Sequence, residues 1–443
     1  MQQSIKWEIE ANCNLQCKHC FLGETSYRNT LSLNDYKKIL FKLKLNNVQA
    51  ITFTAKEPFL NKYIINILEL CKNYKIKTAI ISNGTLITHE IVEELYKTNL
   101  SRLNLSLEGW EATDNDYIRG AGVYSKVVDV INIISSENRY RTNKIILGLQ
   151  INLTSINIKK IESLLRFIQE YPNVILTFSL ISPLGNAKHC LDLLIDYNDF
   201  NDFRYKLLKN LCKNETFVSD RIHFGFSSYY SIIFFNILGL TFQFPELPNC
   251  NVLDNNFTIL PNGDICRCSQ LFEDANLNID NNIGNIFDKI EITKINQDAM
   301  NNNYKKSGIC KKCSYVDKCN FCLASQNKNV FDFYKKDCEH YLNLLEIILR
   351  KVLLSQIRIT LNDHVAIIKH NSIICIYIFY SYKTVKVEIS KEIYVFLLSM
   401  KNKYVKINFS YNEKFLNEFR ELFMKSVFKI QEDEIDGILS NYR

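Results

Sequence analysis

The sequence predicts an α/β protein: an incomplete β/α barrel of six units, then a small cysteine-rich segment, then a C-terminal α+β domain. Three observations carry this. Over the first 200 or so residues, short runs rich in Ile, Leu and Val alternate with amphipathic stretches. Fifteen cysteines are present, and they cluster rather than scatter. Beyond residue 342 the cysteines almost vanish, and strand-like runs precede helices. A chain of 443 residues exceeds one ordinary domain, and two or three are expected.

The elements follow in order. Strands are predicted at 6–10, 50–54, 77–82, 102–107, 144–152 and 174–180, and helices between them at 34–45, 62–74, 88–97, 124–135 and 157–169. Ser32 with Asp35, and Thr88 with Glu90 and Ile91 close behind it, read as helix N-caps, because their side-chain oxygens can accept from the unpaired N–H groups of the first turn. Strands that are almost continuously aliphatic, each followed by a helix, belong to a parallel sheet covered by helices. In such barrels the chemistry sits on the loops after the strand C-termini. A further helix is predicted at 196–213, and 217–248 reads as an aromatic, irregular bridge. The C-terminal strands fall at 356–361, 364–369, 372–379 and 384–388, with helices at 390–400 and 412–427. The domain boundaries are accordingly 1–215, 216–248, 249–345 and 355–443.

Composition excludes some classes. Hydrophobic residues make up 47% and charged residues 23%, the balance of a globular chain with large cores. The net charge of +7 has no dominant block, so nucleic acid is not an expected partner. The longest apolar run, 229–244, is broken by Ser231, Asn236, Gly239, Thr241 and Gln243, short of the ~20 apolar residues of a membrane span. Residues 1–10 are polar and lack the apolar core of a signal peptide. Clustered cysteines in an intracellular chain suggest metal binding rather than disulfides, and a cytoplasmic location is expected.

The loop after the first strand holds Cys13-Asn14-Leu15-Gln16-Cys17-Lys18-His19-Cys20. Three thiolates this close converge on one centre, and soft thiolates select zinc or iron–sulfur. A structural zinc site wants a fourth ligand nearby. Three cysteines buried in a core strand are the bland reading. A 4Fe–4S cluster on three cysteines instead leaves one iron open to chemistry. Cys-x3-Cys-x2-Cys with an aromatic ring, His19, before the last Cys resembles the radical S-adenosylmethionine (SAM) enzymes.

Three later loops extend the resemblance: Thr54-Ala55-Lys56-Glu57-Pro58, Ser82-Asn83-Gly84-Thr85, and Ser106-Leu107-Glu108-Gly109 followed by Asp116-Tyr117-Ile118-Arg119-Gly120. The family pattern is Gly-Gly-Glu-Pro, Ser/Thr-Asn-Gly, and Ser-Leu-Asp-Gly with Asp-x-x-Arg. Ala55 and Lys56 replace two glycines, which puts in doubt the close backbone approach that glycine permits. By resemblance, Cys13, Cys17 and Cys20 hold a 4Fe–4S cluster as the catalytic centre. Glu57 then faces the amine of SAM, Ser106 and Arg119 its carboxylate, and His19 its adenine.

The cysteines return at Cys250, Cys266, Cys268, Cys310, Cys313, Cys319, Cys322 and Cys338. Two Cys-x2-Cys pairs suggest a zinc ribbon, but a gap of five residues between them is short for one, since ribbon pairs usually stand about 15–20 apart. The order also resembles the SPASM domain, the auxiliary iron–sulfur domain of radical SAM peptide-modifying enzymes. Twelve residues separate Cys250 from Gly263 and four separate Gly263 from Cys268, while Cys322 comes one residue early. The resemblance implies two auxiliary clusters, one on Cys310, Cys313, Cys319 and Cys338, the other on Cys250, Cys268 and Cys322. Cys266 supplies a fourth ligand to the second, or one iron stays open.

Taken together, the resemblance implies a peptide maturase. A 5′-deoxyadenosyl radical abstracts hydrogen and installs a crosslink, thioether or epimerised residue in a ribosomally made precursor peptide. An electron donor such as flavodoxin or ferredoxin is the implied partner. The C-terminal domain resembles, by pattern alone, a winged-helix module that captures leader peptides; a structural cap is the alternative. Maturation of a protein active site, as in sulfatase activators, and a non-catalytic peptide-binding iron–sulfur protein remain the rival functions.

Overall fold

A computed structural model describes residues 3–23, 28–213, 221–224, 229–238, 257–269, 281–288, 328–353, 359–361, 365–370, 373–379, 384–400, 413–425 and 427–430. Seven strands and their helices follow one another: β1 (Gln3–Glu8), α1 (Leu33–Leu45), β2 (Val48–Thr54), α2 (Ile64–Asn73), β3 (Lys77–Ser82), α3 (His89–Lys97), β4 (Leu100–Ser106), α4 (Ala112–Arg119), α5 (Val123–Tyr140), β5 (Ile146–Leu153), α6 (Ile161–Glu170), β6 (Ile175–Leu180), α7 (Tyr197–Lys213), β7 (Ile222–Phe224) and α8 (Tyr229–Ile237). Strands β1 to β7 are parallel and adjacent in chain order.

Alternation along each strand makes the two faces different. In β4, Leu103 and Leu105 are fully buried in the layer between sheet and helices, while Arg102, Asn104 and Ser106 face the other way. In β1, Trp7 packs under the first helix against Tyr36 and Phe53, with ring centroids 5.7 and 5.9 Å apart. The caps act as the residue types require. Ser32 and Asp35 form a reciprocal capping box on α1, and Thr88 accepts from Ile91 N at the start of α3.

The segment 216–248 differs from the irregular bridge expected of it. It contributes β7, a seventh parallel strand on β6, and helix α8. A three-residue strand is too short for alternation to be read from sequence, and the near-continuous apolar run of α8 has no amphipathic period. Helix α4 likewise covers Asp116–Arg119, read from sequence only as a loop motif.

The sheet continues on its other edge. Strands β8 (Thr258–Ile259), β9 (Asp264–Cys266) and β10 (Asn282–Asn285) extend it beyond β1, with β8 parallel to β1 and the β8–β9 and β9–β10 pairs antiparallel. A long helix, Lys328–Leu353, runs through the expected boundary at 345 and packs on α8 through Phe234 and Tyr341, 5.1 Å between centroids. Arg204 of α7 is buried against the long helix, paired with Asp337 and lying over the rings of Phe200 and Tyr341 at 3.9 and 4.7 Å. The C-terminal region is α+β. Three antiparallel strands, Val365–His370, Ile373–Phe379 and Thr384–Glu388, accompany helices Lys391–Ser399 and Glu413–Phe423. Phe396, Phe415, Phe419 and Phe428 form the aromatic centre of that region.

Candidate active site

The cysteine loop leaves the C-terminal end of β1 and is held in place by its own backbone. Lys18 N donates to Ile118 O at 3.0 Å, and Cys20 N to Cys17 O at 3.2 Å. From the loop after β6, Asn186 N donates to Cys20 O at 2.8 Å, and Asn186 Nδ2 to Cys17 O at 3.1 Å. Gly185 makes that approach possible: its φ is +55°, and a Cβ there would meet Phe21 O at 2.5 Å and Cys20 O at 2.6 Å. Only glycine fits such a contact.

Donors converge on the sulfurs. Leu15 N lies 3.4 Å and Asn83 Nδ2 3.7 Å from Cys13 Sγ, and Arg119 Nη1 lies 3.8 Å from Cys17 Sγ. Donors aimed at sulfur suit thiolates, which carry the charge of metal ligation. The three thiols are close enough to act on one another's charge. Without a metal, burial raises the Cys13 thiol above its ordinary range and pushes Cys17 up to about 11, against the pull of Arg119.

The turn after β2 keeps the conformation of the glycines it lacks. Ala55 has φ +65° and Lys56 φ +46°, a left-handed region that costs a residue with a Cβ about 1–2 kcal/mol. Lys56 Nζ donates to Gly23 O, tying the turn to the end of the cysteine loop. Glu57 N donates to Asn12 O at 3.1 Å. The Glu57 carboxylate is fully buried: Oε1 accepts from Ser82 Oγ at 2.8 Å and Phe59 N at 3.0 Å, and Oε2 from Asn83 N at 2.8 Å. Burial raises its pKa, and the donors oppose that rise without cancelling it. Glu57 is thus built into the floor of the site as an acceptor for the next loop.

Around β4 the structure assembles a buried charge network. Glu108 is fully buried, pairs with Arg119 through Nε and through Nη2 at 3.0 Å, and has His19 Nε2 3.2 Å from Oε1. Burial alone would favour the neutral acid, but Arg119 and then His19 outweigh it and hold Glu108 ionised, well below the usual carboxylate range. His19 Nδ1 is buried and has no hydrogen-bond partner among the described residues, an opening for a bound group. Ser106 is half-buried at the end of β4. Cys13, Cys17, Cys20, His19, Glu57, Ser106 and Arg119 therefore all stand at the ends of β1 to β4 or on the helix that follows. Glu108 is the residue that sequence reasoning passed over. Its one signal is its place in Ser106-Leu107-Glu108-Gly109, where the family pattern has Asp.

The later cysteines are only partly described. Cys266 ends β9 fully buried, and burial raises its thiol. Cys268 is bracketed by Asn281, whose Oδ1 accepts from its N at 3.0 Å and whose Nδ2 donates to its carbonyl at 2.9 Å. Cys338 is half-buried on helix Lys328–Leu353. Cys250, Cys310, Cys313, Cys319 and Cys322 lie outside the described residues.

Comparison with known proteins matches the strands and loops just described. Residues 7–168 match the Radical SAM superfamily model. The Fe-coproporphyrin III synthase of Methanosarcina barkeri is 25% identical over 169 residues, 38% of this chain and 41% of the relative, so the chain spans about two fifths of that relative's length. The mycofactocin maturase MftC of Mycobacterium tuberculosis is 22% identical over 333 residues, 73% of this chain and 78% of the relative. Streptococcus suis SuiB shares the fold at 20% identity. Its structure bound to S-adenosylmethionine gives a TM-score of 0.57 over 74% of each chain, and its structure bound to precursor peptide SuiA gives 0.58 over 74% of this chain and 72% of that one. The cysteine loop on β1 and the loops after β2, β3 and β4 all fall within the matched residues, and residues 7–168 of this chain are a radical SAM domain.

Proposed function

We propose that the chain is a radical SAM maturase of a ribosomally made peptide. The observation that carries this is the cysteine loop, with three thiols converging under N–H donors from Leu15, Asn83 and Arg119. These residues fit a 4Fe–4S cluster on Cys13, Cys17 and Cys20, and the buried His19 Nδ1, without a hydrogen-bond partner among the described residues, fits a SAM adenine. When bound, the pair supplies one electron and a 5′-deoxyadenosyl group that removes hydrogen from the substrate. The chain's own part is positioning and exclusion of water. Arg119 and Ser106 would hold the SAM carboxylate; Arg119 keeps donor positions beyond those given to Glu108 and Cys17, since a guanidinium carries five N–H bonds. Glu57 acts on the amine end through the turn it stabilises, its oxygens being already shared among Phe59, Ser82 and Asn83.

The peptide reading draws support from MftC, a maturase by name, and from SuiB bound to its precursor peptide. Residues 249–345 would carry two auxiliary clusters of the SPASM type, on Cys250, Cys268 and Cys322 with Cys266, and on Cys310, Cys313, Cys319 and Cys338. Residues 355–443 would capture the leader, and the strands Val365–His370 and Thr384–Glu388, outermost of their sheet among the described residues, would offer edges for β-augmentation. A reduced flavodoxin or ferredoxin would deliver the electron in the cytoplasm. The alternative of a non-catalytic binding protein draws on Ala55-Lys56, and the retained left-handed turn weakens it.

The test is anaerobic reconstitution with iron, sulfide, SAM and the peptide encoded beside the chain. The expected result is release of 5′-deoxyadenosine and a mass change in the peptide. SAM binding without 5′-deoxyadenosine under strong reductant would instead favour the binding protein. Maturation of a folded protein but no small peptide would favour the sulfatase-activator type.

A further inference from the structure

Glu108 is engaged on both its side chain and its backbone. Its Oε1 accepts from Arg119 Nη2 at 3.0 Å and Asn152 Nδ2 at 2.9 Å, with His19 Nε2 at 3.2 Å, and its Oε2 accepts from Arg119 Nε. Its N donates to Asn115 Oδ1 at 3.0 Å, and its carbonyl accepts from Asn157 Nδ2 at 2.9 Å. The next residue, Gly109, lets α4 press against this loop, since a Cβ there would lie 2.7 Å from Asn115 N. Glu108 therefore has little freedom to shift.

A guanidinium is planar and rigid, so two bonds along one edge decide where the third nitrogen goes. Glu108 takes the Nε and Nη2 edge of Arg119, which leaves Nη1 directed at Cys17 Sγ, 3.8 Å away. We propose that Glu108 is a positioning residue that holds an Arg119 N–H on the Cys17 sulfur and thereby raises the reduction potential of the cluster. This rests on the reading that Cys13, Cys17 and Cys20 bind that cluster.

The physical reason lies in where the added electron goes. Reduction places more negative charge on the ligating sulfurs, so an N–H donor stabilises the reduced form more than the oxidised one. A guanidinium alone would act through its whole positive charge. Paired with a buried, ionised Glu108, it acts chiefly through the direction of one N–H. Side-chain length matters too. Aspartate carries the same charge on a stem one methylene shorter, so Glu108→Asp changes reach and leaves charge alone.

The experiment uses the full chain, reconstituted anaerobically, and needs no turnover. Iron and sulfide are assayed, and the midpoint potential and g-values of the SAM-site cluster are followed by EPR-monitored titration without SAM. In all samples Cys310 and Cys313 are replaced by Ala to simplify the auxiliary signals. Glu108→Asp is expected to keep its iron and shift the potential downward. At the parent midpoint the reduced fraction relative to oxidised should fall about tenfold, a shift of about 59 mV for one electron. Arg119→Lys keeps the positive charge without the fork and should shift in the same direction. Full iron with unchanged potential and g-values in either variant overturns the proposal. Because each variant answers alone, failure of one to fold leaves the other decisive. A chain whose iron and sulfide content does not fall when Cys13, Cys17 and Cys20 are also changed to Ala overturns the ligand reading and this inference with it, and the metal assay on that variant tells that result apart.

Discussion

The Glu57 carboxylate accepts the backbone N–H of Asn83 at 2.8 Å, joining the loop after β2 to the loop after β3. Asn83 in turn donates through Nδ2 to Asn14 Oδ1 at 2.9 Å and lies 3.7 Å from Cys13 Sγ. One buried acid therefore stands behind the geometry of the cysteine loop.

Glu57→Ala should accordingly be a stability variant as well as a binding variant. It leaves Phe59 N, Ser82 Oγ and Asn83 N without their acceptor. Hydrogen bonds to a charged group contribute about 1.5–3 kcal/mol each, and partial rescue by water should leave a net loss of about 3 kcal/mol. Chemical unfolding of the metal-free chain measures it, and SAM affinity should fall in parallel. Unchanged SAM affinity in a folded variant would show that this turn lies away from the SAM site.

The raised pKa of Glu57 gives a pH dependence of definite sign. Its native pKa lies above the ordinary 4.5, so the folded state holds this proton more tightly than the unfolded one. The stability it contributes is complete below pH 4.5 and is lost as pH rises through the elevated native value. Glu57→Gln removes that contribution. The difference in unfolding free energy between parent and variant should therefore move in the variant's favour across that window and be flat above it.

Ala55→Gly should stabilise the chain. It removes left-handed strain of about 1–2 kcal/mol and adds part of that back as unfolded-state entropy, for a net gain of about 1 kcal/mol. Lys56→Gly should gain less, because it also gives up the bond to Gly23 O. Thermal unfolding of the two single variants separates these terms, and SAM binding should tighten or stay constant in both.

Changing Cys13, Cys17 and Cys20 together to Ala should remove one cluster's worth of iron and sulfide and all SAM cleavage. In the parent, loading should release protons, because burial lifts Cys17 to about 11 and thiolate is the ligating form. Apparent iron affinity should therefore rise with pH up to that value. Stoichiometric zinc with no sulfide would falsify the iron–sulfur assignment.

Deleting residues 356–443 should leave SAM cleavage without peptide nearly intact and abolish modification of the full-length precursor. A leader held apart from the barrel raises the effective concentration of the peptide core at the site. Iron content of the truncated chain is measured first. A fully loaded truncation that modifies its precursor at the normal rate removes the C-terminal domain from the mechanism.

What was legible in the sequence was whatever repeats or has a short-range cause. Strand β3 and the helix starts at Ser32 and Thr88 fall where aliphatic runs and capping residues put them. The cysteine triad was legible because its spacing forces convergence. What stayed hidden depends on partners far away in the chain. Nothing local to Glu108 reveals that Arg119, His19 and Asn152 all meet its carboxylate. Nothing in Glu57-Pro58 tells that Ser82 and Asn83 occupy its oxygens. Ala55-Lys56 reads as a loss of glycine, whereas the backbone shows the glycine-like conformation kept. Strands β7 and β8, three and two residues long, exist because neighbours offer a ladder rather than because their residues demand one.

The ten-stranded ladder has a mechanical consequence. From β10 through β1 to β7 every strand is hydrogen-bonded to the next, so Cys266 on β9 and the cysteine loop at the end of β1 ride on one plate with no swivel between them. The separation between the two regions is therefore set by the sheet itself. Spin labels placed at the tips of β4 and β9 should report a single, narrow distance whether or not substrate is present, and any large movement during turnover must be sought in the parts of the chain that lie off this sheet.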